Sequence, residues 1–312
     1  MIRKSLFSIR TKNFSTVASG FSIIASAFSL ISLSACNGSA NAGTSPFTQA
    51  ASPSNSTSST LESTSSSSSP TSTNTTSTET TPTAPRAYKI GALIYQGAAT
   101  AFGDVEAITS ILDSHKVDYK VVDSAGMDAL KLEDYNQYGM IIWPGGYAGQ
   151  MSSSLKASTR ETLRRAVNEL GLSYVGFCAG AFIAVSPDTS WGFSMIKADT
   201  LPYYHLEDEG TDSAMTDILL ADGSTRSMVW WGGPYLPEYP KGVIGRYSDT
   251  KQPAIAQTRA GKGLMILSAV HPESPQNWRD KLGLTDKDGL DQDFAWSMFD
   301  AALKQQPMKT LN

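Results

Sequence analysis

Tyr174-Val175-Gly176-Phe177-Cys178-Ala179-Gly180, running into Ala181-Phe182-Ile183-Ala184, reads as a buried strand that turns sharply into a helix. The apolar run Tyr174 to Phe177 is the strand, and Cys178 stands at the turn. A side chain at such an elbow is pushed out of the sheet. Glycines at Gly176 and Gly180 let neighbouring backbone pass close by. The N–H groups at the start of the following helix favour negative charge, which suits a thiolate and an oxyanion. Ala179, the residue after the cysteine, offers one such N–H. Gly146, in the turn Pro144-Gly145-Gly146, is the expected second donor.

A second signal lies downstream. His271-Pro272-Glu273 follows the apolar run Leu264-Met265-Ile266-Leu267. Residues two apart in extended backbone point to the same side, and Pro272 keeps His271 out of the helical region. The glutamate can then hold one imidazole nitrogen while the other faces the sulfur. A cysteine after an apolar run is commonly a small buried hydrophobe, and His-Pro-Glu is a common turn. Their occurrence together, with Pro-Gly-Gly upstream, points to thiolate attack on a carbonyl, with Cys178 as nucleophile, His271 as base and Glu273 as orienter.

Outward from this pair the chain alternates strands and helices. Lys89 to Tyr95, Val117 to Val122 and Met140 to Trp143 read as strands; Asp104 to Leu112 and Leu155 to Leu170 carry helical apolar spacing. The alternation predicts an α/β domain with a mostly parallel sheet and helices on both faces. In such sheets the crevice lies at the carboxyl ends of the strands, where Gly97, Gly146 and Cys178 all fall. After Pro187, short apolar runs at 218–220, 228–231 and 243–244 predict antiparallel strands or loops capping that crevice. The segments 254–258 and 263–268 flank Arg259-Ala260-Gly261-Lys262, a hairpin signal, and Phe294 to Leu303 reads as a closing helix.

The N-terminus has a different character. Arg3, Lys4, Arg10 and Lys12 precede an apolar stretch, Phe21 to Leu33, too short for a comfortable membrane span. It ends in Leu33-Ser34-Ala35-Cys36, which resembles the lipobox of bacterial lipoproteins. That resemblance implies a signal peptide over 1–35, a lipid on Cys36 and, with Asn37 following, transport to the outer membrane of a Gram-negative envelope; an ordinary cleaved signal peptide or a signal anchor is the alternative. Residues 36–86 are dominated by Ser and Thr, with few large apolar residues to offset ordering entropy, and read as a disordered linker. A coil of ~50 residues reaches roughly 40 Å, enough to hold a domain over 87–312 clear of a membrane.

The 312 residues carry 25 Lys+Arg against 29 Asp+Glu, a formal net charge of −4, with no basic stripe, so no nucleic-acid partner is expected. With Cys36 lipidated, the second of the two cysteines, Cys178, has no disulfide partner and needs a packing or a chemical reason. The three histidines and the thiol are too scattered for metal-ligand spacing, and neither metal nor cofactor is expected. His115 suits the end of the first helix as a cation, and Glu207-Asp208-Glu209 reads as a solvated loop. His205 is a candidate crevice residue, and Trp230-Trp231-Gly232-Gly233-Pro234 a candidate pocket wall.

Gly176 to Gly180 with His271-Pro272-Glu273 resembles the class I glutamine amidotransferase-like superfamily. More narrowly, Trp143-Pro144-Gly145-Gly146, Trp231-Gly232-Gly233-Pro234 and Gly261-Lys262-Gly263 running into Leu267 to Glu273 resemble the domain at the N-terminus of fungal biotin-protein ligases, also found as stand-alone bacterial proteins. The resemblance implies a flavodoxin-like sheet and the roles already given to Cys178, His271, Glu273, Gly146 and Ala179. It implies no particular substrate. A basic, glycine-rich adenylate-binding loop and a P-loop are missing, so neither biotin ligation nor ammonia transfer to an ATP-driven synthase is expected. The related peptidase branch carries a glutamate after its first strand; here that place is Tyr95-Gln96-Gly97, with no acid until Asp104. Two functions stay open: an envelope amide or peptide hydrolase or acyl transferase, and a non-catalytic module that binds a ligand or partner in the same crevice.

Overall fold

Strand β1 (Ile90–Tyr95) is buried over all but its first residue, and helix α1 (Asp104–Ser114) lays Val105, Ile108, Ile111 and Leu112 on the core. The computed structural model describes residues 86–187, 191–197 and 200–311. The expected signal peptide, Cys36 and nearly all of the Ser/Thr-rich linker lie outside them. Next come β2 (Tyr119–Val122), α2 (Ser124–Ala129), a 3₁₀ turn (Leu132–Gln137), β3 (Tyr138–Trp143), α3 (Ala148–Ser153), α4 (Ala157–Leu170), β4 (Ser173–Phe177) and α5 (Ala179–Val185). The second half holds α6 (His205–Asp208), β5 (Ala214–Leu220), β6 (Thr225–Trp230), β7 (Val243–Tyr247), β8 (Pro253–Ala260), β9 (Gly263–Ser268), α7 (Gln276–Leu282) and α8 (Gln292–Lys304). Among the described residues no helix is long and apolar enough to cross a membrane.

The nine strands among the described residues form one sheet, in the order β2-β1-β3-β4-β9-β8-β7-β5-β6. The first five run parallel. Their order is that of a flavodoxin-like doubly wound sheet, with a switch point between β1 and β3. Strands β3, β4 and β9 are buried along their whole length, as a sheet covered on both faces requires. The antiparallel strands expected after Pro187 are present, but they lengthen the sheet beyond β9 instead of roofing it. Residues from the stretch between α5 and β5, Trp191 and Tyr203, take the capping place.

The β4–α5 junction is tightly packed. A Cβ on Gly180 would stand 2.3 Å from the Trp143 carbonyl oxygen, so α5 can lie this close to the end of β3 only with glycine there. Trp143 is itself locked, its ring stacked on Tyr95 at 4.1 Å and met edge-on by Phe193. Gly180→Ala should therefore cost about 1–3 kcal/mol of stability, the usual range for an overpacked core. Gly149→Ala, in α3 with nothing within 4 Å of the added carbon, should change it little. Denaturant melts of the two variants check this.

Candidate active site

Cys178 is the N-cap of α5, with φ 45° and ψ −102°. A non-glycine residue in this conformation costs of order 1–3 kcal/mol and persists only where its surroundings enforce it. Here its N–H donates to the Ser268 carbonyl at 2.7 Å, on the neighbouring β9. Its carbonyl accepts from Ala181 and Phe182 at 3.0 and 3.1 Å. The side chain is thereby turned out of the sheet, and its Sγ donates to the Trp231 carbonyl at 3.3 Å.

Beside the thiol opens a cavity of about 340 Å³. Gly146 and Ala179, the two expected oxyanion donors, both line it with Cys178, and so does Gly232 from the Trp-Gly-Gly turn. Ala179 is the first residue of α5, a position whose N–H has no intrahelical acceptor. Phe182, Trp191 and Tyr203 supply an aromatic wall. The Tyr203 ring packs on Phe182 at 5.1 Å.

His271 lies at the carboxyl end of β9, where its N–H donates to the Val229 carbonyl at 2.8 Å. Its Nδ1 is 2.6 Å from Glu273 Oε1, so the structure brings these two residues together. The local geometry is not the extended one, however. Ser274 N–H donates to the His271 carbonyl at 3.1 Å, closing a turn with Pro272 and Glu273 at its centre. Proline suits the second position of such a turn, and the Ser274 hydroxyl adds a bond to the same carbonyl at 2.7 Å. Arg279, fully buried in α7, holds Ser274 from outside through its carbonyl and hydroxyl. The imidazole is 2 % exposed, lies edge-on to Trp278 and does not line the cavity. Trp278 in turn packs edge-on against Trp231, the residue whose carbonyl receives the thiol proton.

Sequence reading missed one functional neighbour, Asp104, at the first position of α1. It is fully buried, and its Oδ2 accepts the Gly145 N–H at 2.6 Å. Asp104, His271 and Glu273 each offer a ligand atom within 4.8 Å of the others, a set that could hold a metal ion. The 2.6 Å between His271 Nδ1 and Glu273 Oε1 is a hydrogen-bond distance, shorter than the ~3 Å or more that separates two ligands at ~2.1 Å from one ion. Gly145 leaves room for the cluster: a Cβ there would meet His271 Cε1 at 2.6 Å. His205, the other candidate crevice residue, instead bonds Glu209 and Asp249, while its neighbour Tyr203 faces the cavity. Trp230 is core, with its indole N–H on the Gly233 carbonyl. His115 caps the end of α1 and stacks on Trp296.

Residues 90–191 match the family described as "Biotin-protein ligase, N terminal". The biotin-protein ligase N-terminal match takes in β1 through α5, and with them Asp104, Gly145, Gly146, Cys178 and Ala179; His271 and Glu273 lie outside it. No curated protein matches the chain by sequence. Similar solved structures include a glutamine amidotransferase, 21% identical, covering 62% of this chain and 99% of that one at TM-score 0.42. Another is a glutamine amidotransferase from Methylobacillus flagellatus, 12% identical, covering 72% and 98% at TM-score 0.43. A third is a beta-galactosidase from Bacillus circulans, 13% identical, covering 72% of this chain but 32% of that one at TM-score 0.38.

The electrostatics of the buried cluster are set by desolvation. Burial, and then the neighbouring Glu273, push the Asp104 carboxyl well above the usual range. Burial pushes Glu273 up to about 8. Burial also lowers His271, against an opposing pull from Asp104. The acids make the folded state hold protons that the unfolded chain releases near 4.5, so their contribution is complete at low pH and fades as pH climbs toward 8. The depressed histidine acts oppositely, but only below its ordinary 6.5. Between pH 6.5 and 8 folding stability should therefore decline, and Glu273→Gln should flatten that slope in denaturant melts taken across the window.

Proposed function

We propose that this protein is a cysteine-dependent amide hydrolase or acyl transferase, held in the cell envelope by a lipid on Cys36. One observation carries the catalytic reading: a cysteine forced into a left-handed elbow at a strand–helix junction, beside a cavity it shares with Gly146 and Ala179. Such strain costs stability and is retained where a side chain must be presented at a fixed angle.

In this reading the thiol passes its proton from the Trp231 carbonyl to His271, and the sulfur attacks the substrate carbonyl carbon. A C–S bond forms and the oxygen becomes an oxyanion, received by the N–H groups of Ala179 and Gly146, each worth about 3–4 kcal/mol where such donors have been removed from acyl-transfer enzymes. The C–N bond then breaks as imidazolium returns the proton to the leaving amine. Water cleaves the thioester to an acid and restores the thiol; an amine in its place completes an acyl transfer. Glu273 holds Nδ1 throughout, which leaves Nε2 as the nitrogen that moves the proton. The aromatic wall of Phe182, Trp191 and Tyr203 suits an apolar acyl flank.

A second reading has its own support. The imidazole does not line the cavity and the resting thiol donates to a backbone carbonyl, an arrangement that also fits a module binding a ligand without turnover. The pH dependence of Cys178 alkylation by iodoacetamide, read at the Cys178 peptide by mass, separates the two. The enzyme reading expects an inflection below the ordinary thiol value of about 8.5 and a loss of tenfold or more in His271→Ala. An ordinary thiol titration, with a rate that His271→Ala leaves unchanged, would leave only the binding module.

A further inference from the structure

The reaction scheme leaves one buried titratable group unused, Asp104. Its Oδ2 is satisfied by the Gly145 N–H. Its Oδ1 has no donor, and neither does Glu273 Oε2, although both atoms are buried. Asp104 and Glu273 each offer a carboxyl oxygen within 4.8 Å of the other. Two ionised carboxylates cannot satisfy each other, because both only accept. Leaving both charged in a dry site is strongly unfavourable, because burial strips each ion of its hydration. A single proton between them removes one charge and gives both orphaned oxygens a partner.

The surrounding charges do not offer another solution. His271 is engaged with Glu273 Oε1. The Arg279 guanidinium acts on Glu273 through space, but its hydrogen bonds go to Ser274 and Asp286, and it lies 3.8 Å from Asp291. From α1, Glu106 is exposed, and the β3 turn supplies only the Gly145 N–H. A metal ion held through Nδ1 and Oε1 would have to open the short His271–Glu273 bond.

We infer that Asp104 and Glu273 share one proton at neutral pH, which makes Asp104 a positioning residue for the His271–Glu273 pair. The Asp104 hydroxyl then donates to Glu273 Oε2, and Glu273 stays anionic to accept the His271 Nδ1–H. The same Asp104 holds the Gly145 N–H, so it ties the turn carrying one oxyanion donor to the turn carrying the base. Burial, which raises both acids, is the driving cause. The proton pairing stands whether or not Cys178 is a nucleophile; its catalytic consequence rests on the reading above.

The test is a carboxyl ¹³C NMR titration of the folded protein from pH 5 to 9, with Glu273 assigned through Glu273→Gln and His271 nitrogens followed in parallel. In wild type, one proton of the Asp104–Glu273 pair should persist past pH 7 and leave near pH 8. Asp104→Asn supplies a neutral donor of the same shape and removes the second acid, so in that variant the Glu273 titration should move to lower pH and His271 should titrate higher. Asp291, pushed up to about 7 by its own burial, serves as a reference that Asp104→Asn leaves in place. The same titration on Cys178→Ala should look like wild type, which keeps this outcome separate from the fate of the nucleophile. A pair fully ionised at pH 7, or a Glu273 titration that Asp104→Asn does not shift, overturns the inference. A stoichiometric divalent ion in the purified protein, whose removal by chelator is needed before any late titration appears, overturns it in favour of a metal site.

Discussion

The backbone of Cys178 is the constraint on which the rest of the site depends. Its left-handed turn is unfavourable alone and is held by hydrogen bonds on both sides, from β9 to its N–H and from α5 to its carbonyl. Those bonds exist because β4 lies between β3 and β9, three parallel strands buried along their whole length. The apolar faces of that sheet therefore do more than stabilise the fold: they hold one side chain at an angle the chain would not choose. The glycine packed against the Trp143 carbonyl belongs to the same constraint, since α5 could not start so close to β3 without it.

Around this elbow the parallel core converges its strand ends. The turn after β3 brings Gly145 and Gly146, the elbow after β4 brings Cys178 and Ala179, and the turn after β9 brings His271 and Glu273. Separate loops thus contribute separate residues of the candidate site, and the sheet supplies their common frame. Hydrogen bonds run between the loops as well as within them, as the Asp104 carboxylate on the Gly145 N–H illustrates.

Much of this was legible in the sequence, and what was missed shares a physical cause. The strands β1, β3, β4 and β9 announce themselves as apolar runs, and the Gly-x-Cys-x-Gly elbow carries its own stereochemical logic. His271 and Glu273 pair as their spacing suggests, though across a turn, because proline serves the second position of a turn as readily as an extended strand. Asp104 was invisible as a site residue. An acid at a helix start is ordinary, and only the approach of α1 to the turns after β3 and β9 turns it inward. The antiparallel strands were visible as strands, but periodicity says nothing about whether a strand joins a sheet edge or lies over it. The short helices α2, α3 and α6 escaped notice because so few residues leave no measurable period.

The aromatic wall of the cavity has a different origin from its floor. Cys178, Ala179 and Gly146 sit on strand ends locked by the parallel core, whereas Trp191 and Tyr203 come from the connection that leaves α5 and reaches β5. Tyr203 is 43% exposed and borrows little from the core packing. The rim and the floor of the cavity thus rest on separate segments. Substitution at Tyr203 can redraw the mouth at small thermodynamic cost while the strand ends beneath stay unchanged.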